Sequence, residues 1–183
     1  EPAMTHPASF CLISMFIWFT IKWHNQKQLK NAIVLGLLMG LISLIRPTNA
    51  LVAIVFIVFN ITSLKQIKER VLLFWNYKAQ ITVITLSSII VWVPQFLFWK
   101  YSTGEWFYFS YEEEGFFFNN PQRFNGLFSY RKGWLVYTPI MLFSLLGVFF
   151  AFKNNKKWVV SLSLFIPLNI FIIYSWWCWW YGG

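Results

Sequence analysis

Between Ala32 and Thr62 the chain carries one charged or titratable side chain, Arg46, in the string Leu44-Ile45-Arg46-Pro47-Thr48-Asn49-Ala50. A helix needs about 20 apolar residues to cross the hydrocarbon layer. One straight helix over the whole run would reach ~46 Å, well beyond the ~30 Å hydrocarbon layer. Pro47 has no N–H and disfavours helical geometry at residue 46, so the run divides into two helices, 31–45 and 48–63. A charge at bilayer depth costs roughly 2.5–3.5 kcal/mol on insertion scales, which marks Arg46 as a site.

The rest of the chain has the same character. It is 58% hydrophobic, 22% aromatic and only 11% charged, against about 25% charged in soluble domains. A net charge of +9 could suggest nucleic acid, but the Lys and Arg residues sit at the ends of apolar runs and form no continuous stripe. Nucleic acid is therefore excluded as a partner. The expected fold is all-α, a single polytopic transmembrane helical bundle over residues 1–183. Its six membrane segments are 8–23, 31–45, 48–63, 80–99, 134–152 and 158–177, with Pro94 and Pro167 inside two of them. A long loop, 100–133, joins the fourth segment to the fifth.

Charge sets the orientation. The turns 22–30, 63–78 and 153–157 hold Lys22, Lys27, Lys30, Lys65, Lys68, Arg70, Lys78, Lys153, Lys156 and Lys157, with Glu69 their only acid. The opposite side holds Arg46, Lys100, Arg123, Arg131 and Lys132 together with Glu1, Glu105, Glu112, Glu113 and Glu114. The positive-inside rule places the first set in the cytoplasm and both chain ends outside. Residues 69–75 read as a short interfacial helix on the cytoplasmic face. The expected location is the bacterial cytoplasmic membrane. The chain begins at Glu1 without a signal peptide and stops just after a membrane segment, so it reads as an internal fragment of a larger protein.

The unusual residues gather on the outer side. Arg46 can hold two phosphate oxygens at once, and Asn49 adds a hydrogen-bond donor beside it. It can equally cap the carbonyl end of helix 31–45 while its head reaches the interface. Arg131 and Lys132 stand at an outer helix start, against both the helix dipole and the inside preference, so a phosphate or an anionic headgroup is expected there. In the acidic run, Glu113 and Glu114 are candidates for a general base, or for orienting a sugar hydroxyl, although three adjacent acids are more often a solvated loop. Glu1 and His6 flank the outer end of the first segment. Trp176-Trp177-Cys178-Trp179-Trp180 is an interfacial aromatic belt, or else a platform for a sugar face or a prenyl chain. Cys11 and Cys178 read as small buried hydrophobes. No metal motif, phosphate-cradling glycine loop or Ser-His-Asp set is present, and no metal or cofactor is expected.

Three stretches carry a family resemblance. They are Gly36 through Asn49, a glycine-rich helix ending at a basic residue and a turn; Glu1-Pro2-Ala3-Met4-Thr5-His6, a helix entrance; and Glu113 to Pro139, including Phe128-Ser129-Tyr130-Arg131-Lys132-Gly133-Trp134. In these the chain resembles GT-C class membrane glycosyltransferases, of the family 39 or dolichyl-phosphate-mannose-protein mannosyltransferase type, and is similar to the lipid A aminoarabinose transferases. The resemblance implies a donor sugar on a polyprenyl phosphate. It implies transfer to an acceptor glycan, lipid or protein at the outer membrane face. It also implies a catalytic carboxylate, usually an Asp in the first outer loop. The chain contains no Asp, so that residue is expected upstream and the catalytic position here is unknown. Arg46 corresponds to a basic position near the lipid phosphate. The competing readings are a transporter or lipid flippase and a non-catalytic assembly subunit. A transporter should show internal repeats and polar groups at mid-membrane in several helices.

Overall fold

The computed structural model describes residues 5–108, 114–131 and 133–180. The fold is all-α, with no strand among the described residues. The chain divides into two compact units, Glu1–Phe109 and Ser110–Gly183.

The first unit begins with α1 (Thr5–Gln26) and α2 (Leu29–Ile45). Lys27 joins them in a left-handed conformation, φ 47°. As Pro47 requires, α2 stops at Ile45, and Arg46 is extended at φ −148° and ψ 116°. The chain resumes in a 3-10 turn, Pro47–Val52, and then α3 (Ala53–Val58). Two further helices follow, α4 (Leu64–Asn76) and α5 (Lys78–Thr103), which ends on left-handed Gly104. Asn49 Nδ2 lies 3.4 Å from Ser9 Oγ, which brings the Arg46 turn beside the start of α1. At the other end of the unit the buried Trp23 indole donates to Gln80 Oε1 at 2.7 Å, and Gln80 Nε2 donates to the Lys27 carbonyl at 2.7 Å. The elements thus alternate in direction, and the basic turns 22–30 and 63–78 gather at one end.

The core of this unit is the contact between α2 and α5, and two glycines make it. A Cβ on Gly40 would sit 2.7 Å from the Ser88 carbonyl oxygen, and one on Gly36 would sit 2.6 Å from Ser87 Cβ. With no side chains in the way the backbones close, and Ser88 Oγ donates to the Gly36 carbonyl at 2.8 Å. Trp92 Nε1 donates to Ser43 Oγ at 2.9 Å one turn further along. Small residues at one-turn spacing are the ordinary means by which apolar helices associate where the hydrophobic effect gives no drive.

One polar cluster closes the basic end. His24 falls one residue past the apolar run that ends at Trp23. Its Nδ1 accepts from Arg70 Nη1 at 2.6 Å, and its Nε2 donates to the Phe56 carbonyl at 2.9 Å. Arg70 also donates to the Phe59 carbonyl. An imidazole that accepts from a guanidinium must be neutral. Burial first, then the Arg70 charge and more weakly Lys27, lower the His24 pKa from 6.5 to about 4, against a raising effect of the Phe56 hydrogen bond. Between pH 4 and 6.5 the unfolded chain therefore binds the extra proton and the folded chain does not, so stability rises with pH through that window. The contribution, roughly 3 kcal/mol, is fully present above pH 6.5 and is lost as pH falls towards 4. Thermal unfolding of the detergent-solubilised protein is expected to show this loss. His24→Asn, which can still accept from Arg70 and donate to Phe56, should flatten it. An unchanged pH profile in that variant would remove His24 as the cause.

The second unit contains α6 (Arg123–Phe128), α7 (Trp134–Tyr137), α8 (Met141–Asn154) and α9 (Lys156–Ile173). Several expected boundaries change. The segment 134–152 is interrupted, because Pro139 holds Thr138 out of helical geometry at φ −131° and ψ 66°, and the long helix starts only at Met141. The segment 158–177 ends at Ile173, because the following residues turn to pair with another part of the chain. The segment 48–63 ends at Val58, with Asn60 left-handed at φ 61°. The loop expected over 100–133 is shortened by the last turn of α5 and holds α6 within it. Among the described residues two helices, α5 and α9, are long and apolar enough to cross a membrane, while α2, Pro47–Val58 and α8 are shorter apolar helices. The six expected spans are thus met at full length by two.

Candidate functional site

The second unit is organised around the stretch after α9. Phe117 N–H donates to the Ser175 carbonyl at 2.6 Å, Trp177 N–H to the Gly115 carbonyl at 3.0 Å, and Gln122 N–H to the Tyr174 carbonyl at 2.8 Å. Phe116 and Trp176 form an isolated antiparallel bridge, with their rings edge to face at 4.8 Å. Gly126, the one buried residue of α6, lies flat against the Tyr174 ring, where a Cβ would overlap the ring carbons. The aromatic residues of the loop and of the tryptophan cluster are thus folded onto each other.

Between them lies a cleft of about 380 Å³. Its walls are aromatic: Phe117, Tyr174, Trp176, Trp177, Trp179 and Trp180. Its polar lining is Asn120, Gln122, Ser175 and Arg131. The Arg131 guanidinium stacks over the Trp180 ring at 4.5 Å from its centroid. Stacking orients the planar cation and leaves its edge N–H groups available, since a ring face accepts the cation without using its donors. Gln122 Nε2 lies 3.2 Å from Asn120 Oδ1, and Asn125 Nδ2 donates to Gln122 Oε1 at 2.8 Å. This chain of amides fixes Gln122 between Asn120 and Asn125. Aromatic faces beside fixed amides suit a sugar, which has apolar C–H faces and hydroxyl edges, and one stacked Arg suits a phosphate. Tyr137 Oη donates to the Tyr130 carbonyl at 2.6 Å and braces the turn that carries Arg131.

The expected site residues fall in different places. Arg131 lines the cleft. Lys132 and Glu113 lie outside the described residues. Glu114 is half-buried and is not in the cleft lining. Arg46 and Asn49 belong to the first unit: Arg46 is exposed with no side-chain partner among the described residues, and Asn49 is half-buried against Ser9. Asn120 and Gln122 had no motif to announce them. Two polar residues around a proline, in an aromatic loop, were the only available signal. Among the described residues no three His, Cys, Asp or Glu side chains come together as a metal site.

The arrangement defines an all-α, strongly apolar protein with an aromatic, singly cationic cleft. Comparison of the chain with protein-family models, with curated proteins and with solved structures gives no match.

Proposed function

We propose that the chain takes part in transferring a sugar from a polyprenyl-phosphate donor to an acceptor at the outer face of the cytoplasmic membrane, as part of a polytopic helical bundle. The observation that carries this reading is the Arg131 guanidinium stacked on Trp180 at the edge of a tryptophan-walled cleft. A lipid-linked sugar has a prenyl chain, a phosphate and a sugar ring, and the cleft offers a matching surface to each.

In the reaction the acceptor hydroxyl oxygen attacks the anomeric carbon, and the bond from that carbon to the phosphate oxygen breaks. The leaving group carries its electron pair away as polyprenyl phosphate. Arg131 stabilises the negative charge growing on that phosphate, an effect that is large where water is excluded. The hydroxyl proton passes to a carboxylate. Glu114 and Glu113 are the candidates in this chain. In the first unit, Arg46 with Asn49 beside it is a separate candidate for a phosphate contact at headgroup depth. The basic turns gathered at one end of the first unit support an orientation with the Arg46 end outward.

The test is an assay of full-length protein with labelled polyprenyl-phosphate sugar in detergent. Transfer, or saturable donor binding, is expected; neither under any acceptor condition contradicts the reading. Arg46→Ala should weaken donor binding about tenfold with normal expression, as for loss of one charge-assisted hydrogen bond. Unchanged donor affinity would remove Arg46 from the site.

A further inference from the structure

The helix α4 leaves an apolar stripe uncovered. Leu64, Ile67, Val71 and Trp75 recur at helical spacing along one face and are 84%, 47%, 66% and 68% exposed. The flank next to the stripe is used: Arg70 reaches His24 and the Phe59 carbonyl, and the Phe74 ring stacks on Phe56 at 5.6 Å. The helix is held along that flank, and the stripe beside it stays uncovered.

Beside the stripe, where α4 meets α5, is an open groove of about 370 Å³. Val71, Phe74, Trp75 and Ile81 wall it, and Lys78 and Thr82 supply its polar atoms. Lys78 Nζ sits 5.1 Å from the centre of the Trp75 ring. Lys78 is exposed at the junction where α4 ends at Asn76 and α5 begins, so its ammonium is open to an anion at the groove. Lys65 and Lys68 stand on α4 with Glu69 the only nearby acid in sequence. From the groove α5 runs on to Thr103, with Leu86, Ile90, Val93 and Leu97 exposed along it.

We propose that this groove binds the headgroup of an anionic phospholipid, with the phosphate at Lys78 and Thr82 and the acyl chains lying along α5. Charge selects the lipid over a peptide: the rim is basic and the walls are apolar, which matches an anionic head above hydrocarbon tails. The stripe on α4 then lies in the interface plane, with Trp75 at headgroup level. The inference rests on the membrane reading of the chain, but not on its proposed reaction.

The experiment uses the full-length protein reconstituted in vesicles that contain a phospholipid with a photoreactive acyl chain, in phosphatidylglycerol or phosphatidylcholine form. Flotation first establishes that the protein is membrane-bound in both. Crosslinks within residues 71–82 are expected to favour phosphatidylglycerol about fivefold, the effect of one lysine near a surface. Lys78→Gln should abolish the preference and Lys78→Arg should retain it. Equal labelling by both lipids, a preference untouched in Lys78→Gln, or a chain-to-chain crosslink at Trp75 would each overturn the proposal. Failure to float would instead contradict the membrane reading.

Discussion

Arg131→Ala is expected to weaken binding of a polyprenyl-phosphate sugar by about 30-fold or more while leaving the fold intact. Hydrogen bonds to charged groups contribute about 1.5–3 kcal/mol, and each 1.4 kcal/mol is tenfold in affinity. Arg131 is exposed and lies on a turn braced by Tyr137, so removing it costs little packing. Two controls separate charge from geometry. Arg131→Lys keeps the charge but loses the planar fork and its stacking on Trp180, so it should recover only part of the affinity. Trp180→Leu keeps the cation and removes the ring that orients it, and should lie between the two. Equilibrium binding of a fluorescent donor to the full-length protein reads all three. Wild-type affinity in Arg131→Ala would place the phosphate elsewhere.

Gly36→Leu is expected to destabilise the first unit by about 3 kcal/mol or more, the upper range for overpacking, because the obstacle is the backbone of α5. The Ile84 carbonyl and Ser87 cannot step aside as a flexible side chain could. The helices must separate, and the Ser88 to Gly36 hydrogen bond goes with them. Gly40→Leu should act similarly through Ser88 and Val91. Gly147→Ala gives the opposite sign. Nothing lies within 4 Å of a Cβ there, and α8 gains about 0.5–1 kcal/mol from replacing a helical glycine. Thermal unfolding in a single detergent compares the three. A Gly36→Leu protein as stable as wild type would show that α2 and α5 do not meet along this face.

What could be read in the sequence is what short stretches determine. The break at Arg46 follows from the geometry of Pro47 alone, and the short helix expected over 69–75 is the later part of the longer α4, Leu64–Asn76. Pro139 offered the same local cue as Pro47. The chain breaks there too, at Thr138, inside the segment expected over 134–152. The contacts that build the sites are of another kind. Trp23 meets Gln80 across 57 positions, and Arg70 meets His24 across 46. No local pattern relates such residues. The cleft is non-local in the same sense: it forms where Gly115–Phe117 pairs with Ser175–Trp177, far apart in the sequence. Arg131 was legible because a cation at an outer helix start contradicts two electrostatic rules at once. Asn120 and Gln122 contradicted none.

The most direct test of the central claim is competition binding with full-length protein in nanodiscs. A labelled polyprenyl-phosphate sugar is displaced by unlabelled donor, by polyprenyl phosphate alone, or by the uncharged polyprenol. Saturable binding that polyprenyl phosphate displaces and polyprenol does not, with that discrimination lost in Arg131→Ala, is the predicted result. Binding that polyprenol displaces as well as the phosphate does, or no saturable binding, would contradict it.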